Sequence, residues 1–387
     1  MFVELHILQN FAPSNLNRDD TNSPKDCEFG GYRRARISSQ CLKRAIRTRF
    51  RDDDLVPEQN RSDRTTRLID ALVERLMAQG HESVESRAVV ETALRGIGLG
   101  IKEGKTEYLL FLGKGEIDSL AEVCARHWDA LRAVTPSEGQ APAKRKDAKN
   151  AGKDAVPADV AKELRSTLNG NRAADLALFG RMLADLPDKN IDAASQVAHA
   201  ISANQVSMEF DFYTAVDDLK PDDTAGADML GTVEFNSACF YRYANVDLEQ
   251  LQHNLGGDVE LAMRALEAFI RASISAVPTG KQNSMAAQNP PSLVLAVVRQ
   301  SGLWSLANAF VQPVRADRGG DLVDKSIGRL DQYWGRLTRM YGAGPIEGVW
   351  VCSLDGGLEQ LAEAQVDSVD DVVRSTLDAV STARSAA

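Results

Sequence analysis

The sequence predicts an α+β fold in the order βαββαβ, the ferredoxin-like, RRM-like arrangement also used by RNA-recognition modules. Two segments with helical apolar spacing, Ser39–Phe50 and Asp258–Ala276, are interleaved with four of strand character: Phe2–Leu8, Ala194–Ser202, Thr232–Tyr243 and Ser292–Val298. Two long interruptions, at about 52–190 and 206–231, differ in pattern from this core and from each other. At 387 residues the chain is long enough to bury a large core and carry such insertions.

Phe2–Leu8 alternates like a half-buried strand. Residues 10–32, NFAPSNLNRDDTNSPKDCEFGGY, read as a long polar loop, with Gly30 and Gly31 allowing close backbone approach to a ligand. Ser38 and Ser39 stand where an N-cap belongs, and Leu42, Ile46 and Phe50 then form an apolar stripe on a helix. The first interruption reads mainly as helices, over Arg64–Gln79, Val84–Gly96, Ile117–Val134, Ala158–Leu168 and Ala173–Leu186, with a polar linker at 136–159. The second contains MEFDFYTAV followed by DDLKPDDTAGAD, an alternating arm and a turn-rich tip that predict a protruding hairpin. Residues 191–205 and 232–387 return to the core, the latter ending in an extension with the amphipathic stretch Val369–Val380.

Charge singles out one segment. The chain carries a formal net charge of −10, yet Arg33 to Arg51 holds eight Arg or Lys and no acidic residue. A polyanion responds to clustered cations and is little affected by carboxylates beyond a Debye length, so the acidic total does not exclude nucleic acid. Ser38, Gln40 and Lys43 at the helix start suit a phosphate, Arg44 and Arg47 continue the track, and Arg18 and Lys25 join it from the loop. The same pattern also fits the solvated face of an ordinary amphipathic helix.

Other chemistries find less support. The five cysteines are odd in number and far apart, without metal-ligand spacing, and read as reduced thiols; the five histidines lie in separate segments. No P-loop pattern occurs. Paired aspartates at Asp19–Asp20 and Asp217–Asp218, and the triplet Asp52–Asp54, read as turn formers. No cofactor and no metal are expected. No apolar run approaches the ~20 residues of a membrane span and no secretory segment opens the chain, so the expected location is the cytoplasm.

The run from Leu16 to Arg47, LNRDD, KD, FGG and RRARISSQCLKRAIR, resembles the N-terminal signature of the CasC family, the repeated backbone subunit of the type I-E CRISPR Cascade complex. Further similarity lies in FYTAVDDL (Phe212–Leu219), in Gly231–Gly257 and in AVPTGKQNSMAAQNP (Ala276–Pro290). The resemblance implies a palm (1–51, 191–205, 232–387), helical fingers (52–190) and a thumb (206–231). It implies a crRNA-binding role without catalysis: the protein polymerises head to tail along the guide RNA and presents it to a target DNA strand, beside other Cascade subunits. Phe212, Tyr213 and Thr214 match the thumb segment that displaces a nucleotide; strand packing is the competing role for each. Met182 matches the residue that meets the thumb of the next copy, although helical spacing alone assigns it to the core. Lys281 and Gln282 lie in a loop that would contact the RNA backbone. Two other functions stay open: a metal-dependent target-RNA nuclease of the type III backbone kind, with Asp26 the aspartate in question, and a stand-alone nucleic-acid-binding regulator.

Overall fold

The computed structural model describes residues 1–135, 155–170, 172–215, 229–317, 320–355 and 357–385. In chain order the elements are β1 Phe2–Ser14, β2 Asp26–Phe29, β3 Tyr32–Ile37, α1 Ser39–Asp52, β4 Ser62–Thr65, α2 Leu68–Ala78, α3 Ser83–Gly96, β5 Ile101–Lys102, β6 Lys105–Thr106, β7 Leu110–Gly113, α4 Lys114–Arg126, α5 Trp128–Ala133, α6 Ala158–Thr167 and α7 Ala174–Phe179. There follow β8 Ser195–Val197, β9 Ala200–Ser202, β10 Glu209–Ala215, β11 Met229–Asp247, α8 Leu248–Asn254, α9 Val259–Ser275, α10 Gln282–Met285, β12 Leu293–Arg299, α11 Leu322–Tyr341, β13 Ile346–Ser353 and α12 Val369–Ser385. They divide into two compact units, one of Met1–Leu55, Ser195–Asp247 and Leu266–Ala387, the other of Val56–Ala194 and Leu248–Ala265. Residues 248–265, expected with the last core segment, therefore group with the insertion.

An antiparallel sheet organises the first unit, in the order β13-β12-β1-β11-β9-β3-β2. β1 lies inside it, pairing on one edge with β11 (Leu5 opposite Ala244) and on the other with β12 (Leu5 opposite Ala296). Strand alternation sends successive side chains to opposite faces. Leu5 and Ile7 meet Leu42 and Ile46 of α1 on one face. On the other, Leu8 and Tyr241 join Leu306, Phe310, Ile327 and Trp334 in a core built with the C-terminal elements. α12 buries Val372, Val373, Thr376 and Val380.

The loop expected at 10–32 is strand at both ends, and residues 15–25 between them are the loop. β1 runs on to Ser14, and β2 and β3 form a hairpin whose turn is Gly30-Gly31, with φ of 64° and 80°. Two consecutive positive φ values are the signature of a type I′ hairpin turn, so these glycines serve the turn. A Cβ at Gly30 would stand 2.4 Å from the Val311 carbonyl oxygen. The strand expected over 194–202 is likewise two short ones, β8 and β9.

The second unit is built mainly of helices around Leu72, Leu76, Val90, Leu94, Leu120, Cys124, Val160 and Leu164. Three boundaries differ from the periodicity. Residues 64–65 belong to β4, paired with β7, where the Arg64 guanidinium lies 4.8 Å from the centroid of Phe111. The helix expected over 117–134 breaks at His127. The one expected over 173–186 ends at Phe179, because Gly180 has φ of 76° and Arg181 exchanges backbone hydrogen bonds with Ile191 at 2.9 Å. Of the linker expected at 136–159, residues 136–154 lie outside the described residues and Ala158 already begins α6. Among the described residues, no helix is long and apolar enough to cross a membrane.

Candidate nucleic-acid interface

Helix α1 forms as its sequence requires. The Ser38 hydroxyl accepts a hydrogen bond from the Cys41 amide at 3.4 Å, and Leu42, Ala45, Ile46 and Phe50 are buried. Burial of each large apolar side chain contributes about 1.5–3 kcal/mol, which fixes the opposite face, carrying Gln40 and Arg44, toward solvent. Lys43 and Arg47, one turn apart, are partly exposed.

The turn before β2 is fastened to this helix start. Asn17 Oδ1 accepts from the Ser38 amide at 2.8 Å, and the Asn17 carbonyl accepts from Lys25 N at 2.8 Å. Asp19 Oδ1 accepts from the amides of Thr21 and Ser23, each at 2.9 Å, which closes the turn and leaves Arg18 exposed beside Asn22. Lys25 is partly buried, and its carbonyl accepts from Arg36 N at 2.9 Å. Arg36 Nη1 lies 3.1 Å from His199 Nδ1; burial, then the charges of Arg36 and Lys25, hold the His199 imidazolium below its ordinary range. Arg36 and His199 thus join the basic cluster. Arg36 was available to sequence reasoning as part of the basic run, whereas nothing in the sequence around His199 signals its place.

The loop after α9 reaches the same point. Gly280 packs so closely that a Cβ there would stand 2.4 Å from the Leu16 carbonyl oxygen and 2.6 Å from that of Asn15. The Leu16 carbonyl also lies 4.0 Å from Cys41 Sγ in the first turn of α1. Leu16 is therefore the shared neighbour that brings Lys281 to the α1 start. Lys281 has φ of 51°, a left-handed conformation strained for a residue with a Cβ and held by the surrounding loop.

The segments that carry Arg18 and Lys25, Gln40 and Lys43, and Lys281 thus meet at Leu16, with Arg44 and Arg47 further along α1. Two of the expected ligand residues also make contacts within the fold. Ser38 is buried and its hydroxyl is spent on the cap, so it positions the helix start. Gln282 braces its own loop, donating from Nε2 to the carbonyls of Pro278 at 3.0 Å and Ala287 at 3.1 Å. The basic run also divides: Arg34 is fully buried and donates to the carbonyls of Ser202, Ala203, Phe310 and Val311. Arg33 pairs with Asp26 across the β2–β3 hairpin.

Strand β10 pairs with the first part of β11, which continues into the sheet, forming the arms of the predicted hairpin; its tip, 216–228, lies outside the described residues. The Tyr213 ring lies over Gly231, where a Cβ would approach it to 2.4 Å. Phe212 is 63% exposed, and Tyr213 and Thr214 are exposed beside it. Phe210, on the same strand face as Phe212 and 66% exposed, was legible from the i, i+2 spacing but was not singled out. Met182, in the second unit, is 80% exposed, which removes the core role that helical spacing assigned to it. Among the described residues, no three His, Cys, Asp or Glu side chains gather as metal ligands.

The arrangement offers ammonium, guanidinium and amide donors on ordered loops, suited to phosphate and ribose oxygens. The family model described as CT1975-like protein matches residues 3–379. A chain of a solved structure titled "CRISPR RNA-guided surveillance complex, pre-nicking" is similar with a TM-score of 0.84 at 30% identity, over 98% of this chain and 100% of that one. A chain of a second, "CRISPR RNA-guided surveillance complex", gives 0.74 at 27% identity, over 98% and 100%. No curated protein matches this chain.

Proposed function

This chain belongs to the CT1975-like protein family, and on that premise we propose that it is the crRNA-binding backbone subunit of a CRISPR surveillance complex. The observation that carries the reading is the convergence of the α1 start and the Lys281 loop on Leu16, in a chain similar along nearly its whole length to subunits of such complexes. Strand order β12-β1-β11-β9 supports a ferredoxin-like palm. An RNA-recognition module of that order stacks bases on aromatics of its open sheet face. Here the sheet aromatic Tyr241 lies under Leu306, Phe310 and Trp334, so RNA is gripped by edge loops through its backbone. That suits a guide holder, since base pairing reads the sequence.

The exposed Phe212, Tyr213 and Thr214 act as a thumb that displaces a guide nucleotide, and Met182 of the adjacent copy receives it. Copies stack head to tail, a heterologous contact that grows into an open helical array along one RNA. Other Cascade subunits complete the complex, which pairs its guide with a target DNA strand in the cytoplasm as part of antiviral defence. The subunit itself is non-catalytic: Asp26 serves the hairpin through Arg33.

Co-expression with a cognate CRISPR array and the neighbouring CRISPR-associated proteins, followed by purification and sequencing of bound RNA, tests the reading. A large complex carrying uniform spacer-containing RNA is expected. An RNA-free monomer would overturn it.

A further inference from the structure

Among the described residues, one arginine buried between the sheet and its helices has no carboxylate partner. Arg242, on β11, is 5% exposed, and burial pushes its guanidinium down to about 10, which leaves it charged at neutral pH. Burying a guanidinium costs stability unless its N–H groups find acceptors, so its partners show what it holds together. Its hydrogen bonds run elsewhere. Nη2 donates to the carbonyl of Ser273, in the last turn of α9, where a cation also suits the negative end of the helix dipole. Nη1 donates to Gln9 Oε1 at 2.6 Å. Gln9, on β1 and 1% exposed, turns its own Nε2 to the carbonyl of Asn289 at 2.7 Å.

Ser273 and Asn289 are the two stems of the loop that presents Lys281. One chain of hydrogen bonds, Ser273 to Arg242 to Gln9 to Asn289, therefore ties both stems to adjacent core strands. Asn289 Oδ1 adds a bond from Ala12 N at 3.3 Å, while Gln282 braces the loop from within. The residue types match the task. A carboxamide accepts from a guanidinium through its oxygen and donates to a carbonyl through its nitrogen, which neither Glu nor Met can do together.

We infer that Gln9 and Arg242 are positioning residues for RNA binding: they fix both stems of the 276–289 loop and thereby hold Gly280 against Leu16, with Lys281 beside it. Neither touches RNA. The inference rests on the reading of the Lys281 loop as an RNA contact, and the test separates the two.

The informative variant is Gln9→Glu, which keeps the acceptor for Arg242 and removes the donor to Asn289. Binding of the full chain to a fluorescein-labelled single-stranded RNA oligonucleotide is measured by anisotropy across salt concentrations for Q9E, Lys281→Ala and the double variant. Each single variant is expected to weaken binding about tenfold, and the double variant also by about tenfold, because a loop released from its stems no longer presents Lys281. Hydrogen exchange supplies the second readout, with residues 279–288 exchanging faster in Q9E and residues 2–8 unchanged. A double variant weakened by about a hundredfold, the additive result, overturns the inference. So does a Q9E protein that binds like wild type while K281A is weakened, and in that case the RNA contact stands. If K281A itself binds like wild type, the contact and the inference both fail.

Discussion

The basic run from Arg33 to Arg51 divides at Ile37 into two parts that look alike in sequence and do opposite things. In β3, Arg34 is interior and serves four carbonyls from two distant segments, Arg33 is engaged by Asp26, and Arg36 donates to the Asp26 carbonyl at 3.0 Å. In α1, the apolar stripe faces inward and the charges lie on the outer faces. Charge density marks a segment as worth examining; burial and partners decide whether it stabilises the fold or meets a ligand.

The largest expected effect breaks the internal part. Arg34→Met should lower unfolding free energy by about 3–5 kcal/mol in urea titration, since the carbonyls left buried without a donor each cost about 1 kcal/mol or more. An unchanged midpoint would mean that Arg34 is no more structural than its neighbours on α1.

His6 extends the contrast to pH. Burial, and then the charge of Arg299, push its imidazole down to about 3. Its depressed value means that the stability from keeping it neutral is fully present above its unfolded value and is lost as pH falls toward about 3. The slope is up to about 1.4 kcal/mol per pH unit. Buried Glu4 opposes this, because its carboxyl is raised by burial and its contribution is retained below the unfolded value and lost as pH rises. Chemical denaturation of wild type and His6→Gln should therefore diverge between pH 6.5 and 3 and run parallel above that window.

On the outer part, Lys43→Ala with Arg47→Ala should cost less stability than Arg34→Met. It should also make the salt dependence of RNA binding shallower by about 1.4, from about 0.7 per lost single-strand phosphate contact. An unchanged slope would remove α1 from the RNA track. The smallest effect belongs to Asp26→Ala, which removes a partly exposed ion pair worth under about 1 kcal/mol. It should leave guide binding intact and alter no metal-dependent RNA cleavage; cleavage by wild type that this variant abolishes would restore the nuclease alternative.

Much of the candidate site is legible in the sequence because its signals are local. The Ser38 cap, the Leu42, Ile46 and Phe50 stripe and the exposed hairpin pattern each lie within one element, where spacing and propensity decide the outcome. The Gly30-Gly31 turn is local too, but the short, polar strands on either side hide it, and the glycines alone suggest a ligand approach. The periodicity misses the start of α2 at Leu68, where β4 pairs with β7, and the end of α7 at Gly180, whose positive φ overrides the apolar period.

By itself, then, the sequence determined the alternation of strands and helices, the place of the basic helix and the family resemblance carried by contiguous motifs. Only the tertiary structure decided which arginines are interior, that Lys281 reaches the α1 start through Leu16, and that Gln9 and Arg242 join both stems of its loop. Those relations link residues as far apart as Arg34 and Phe310, or Gln9 and Asn289. They depend on which carbonyls the folded chain leaves needing a donor, and that need arises only when distant segments are buried together.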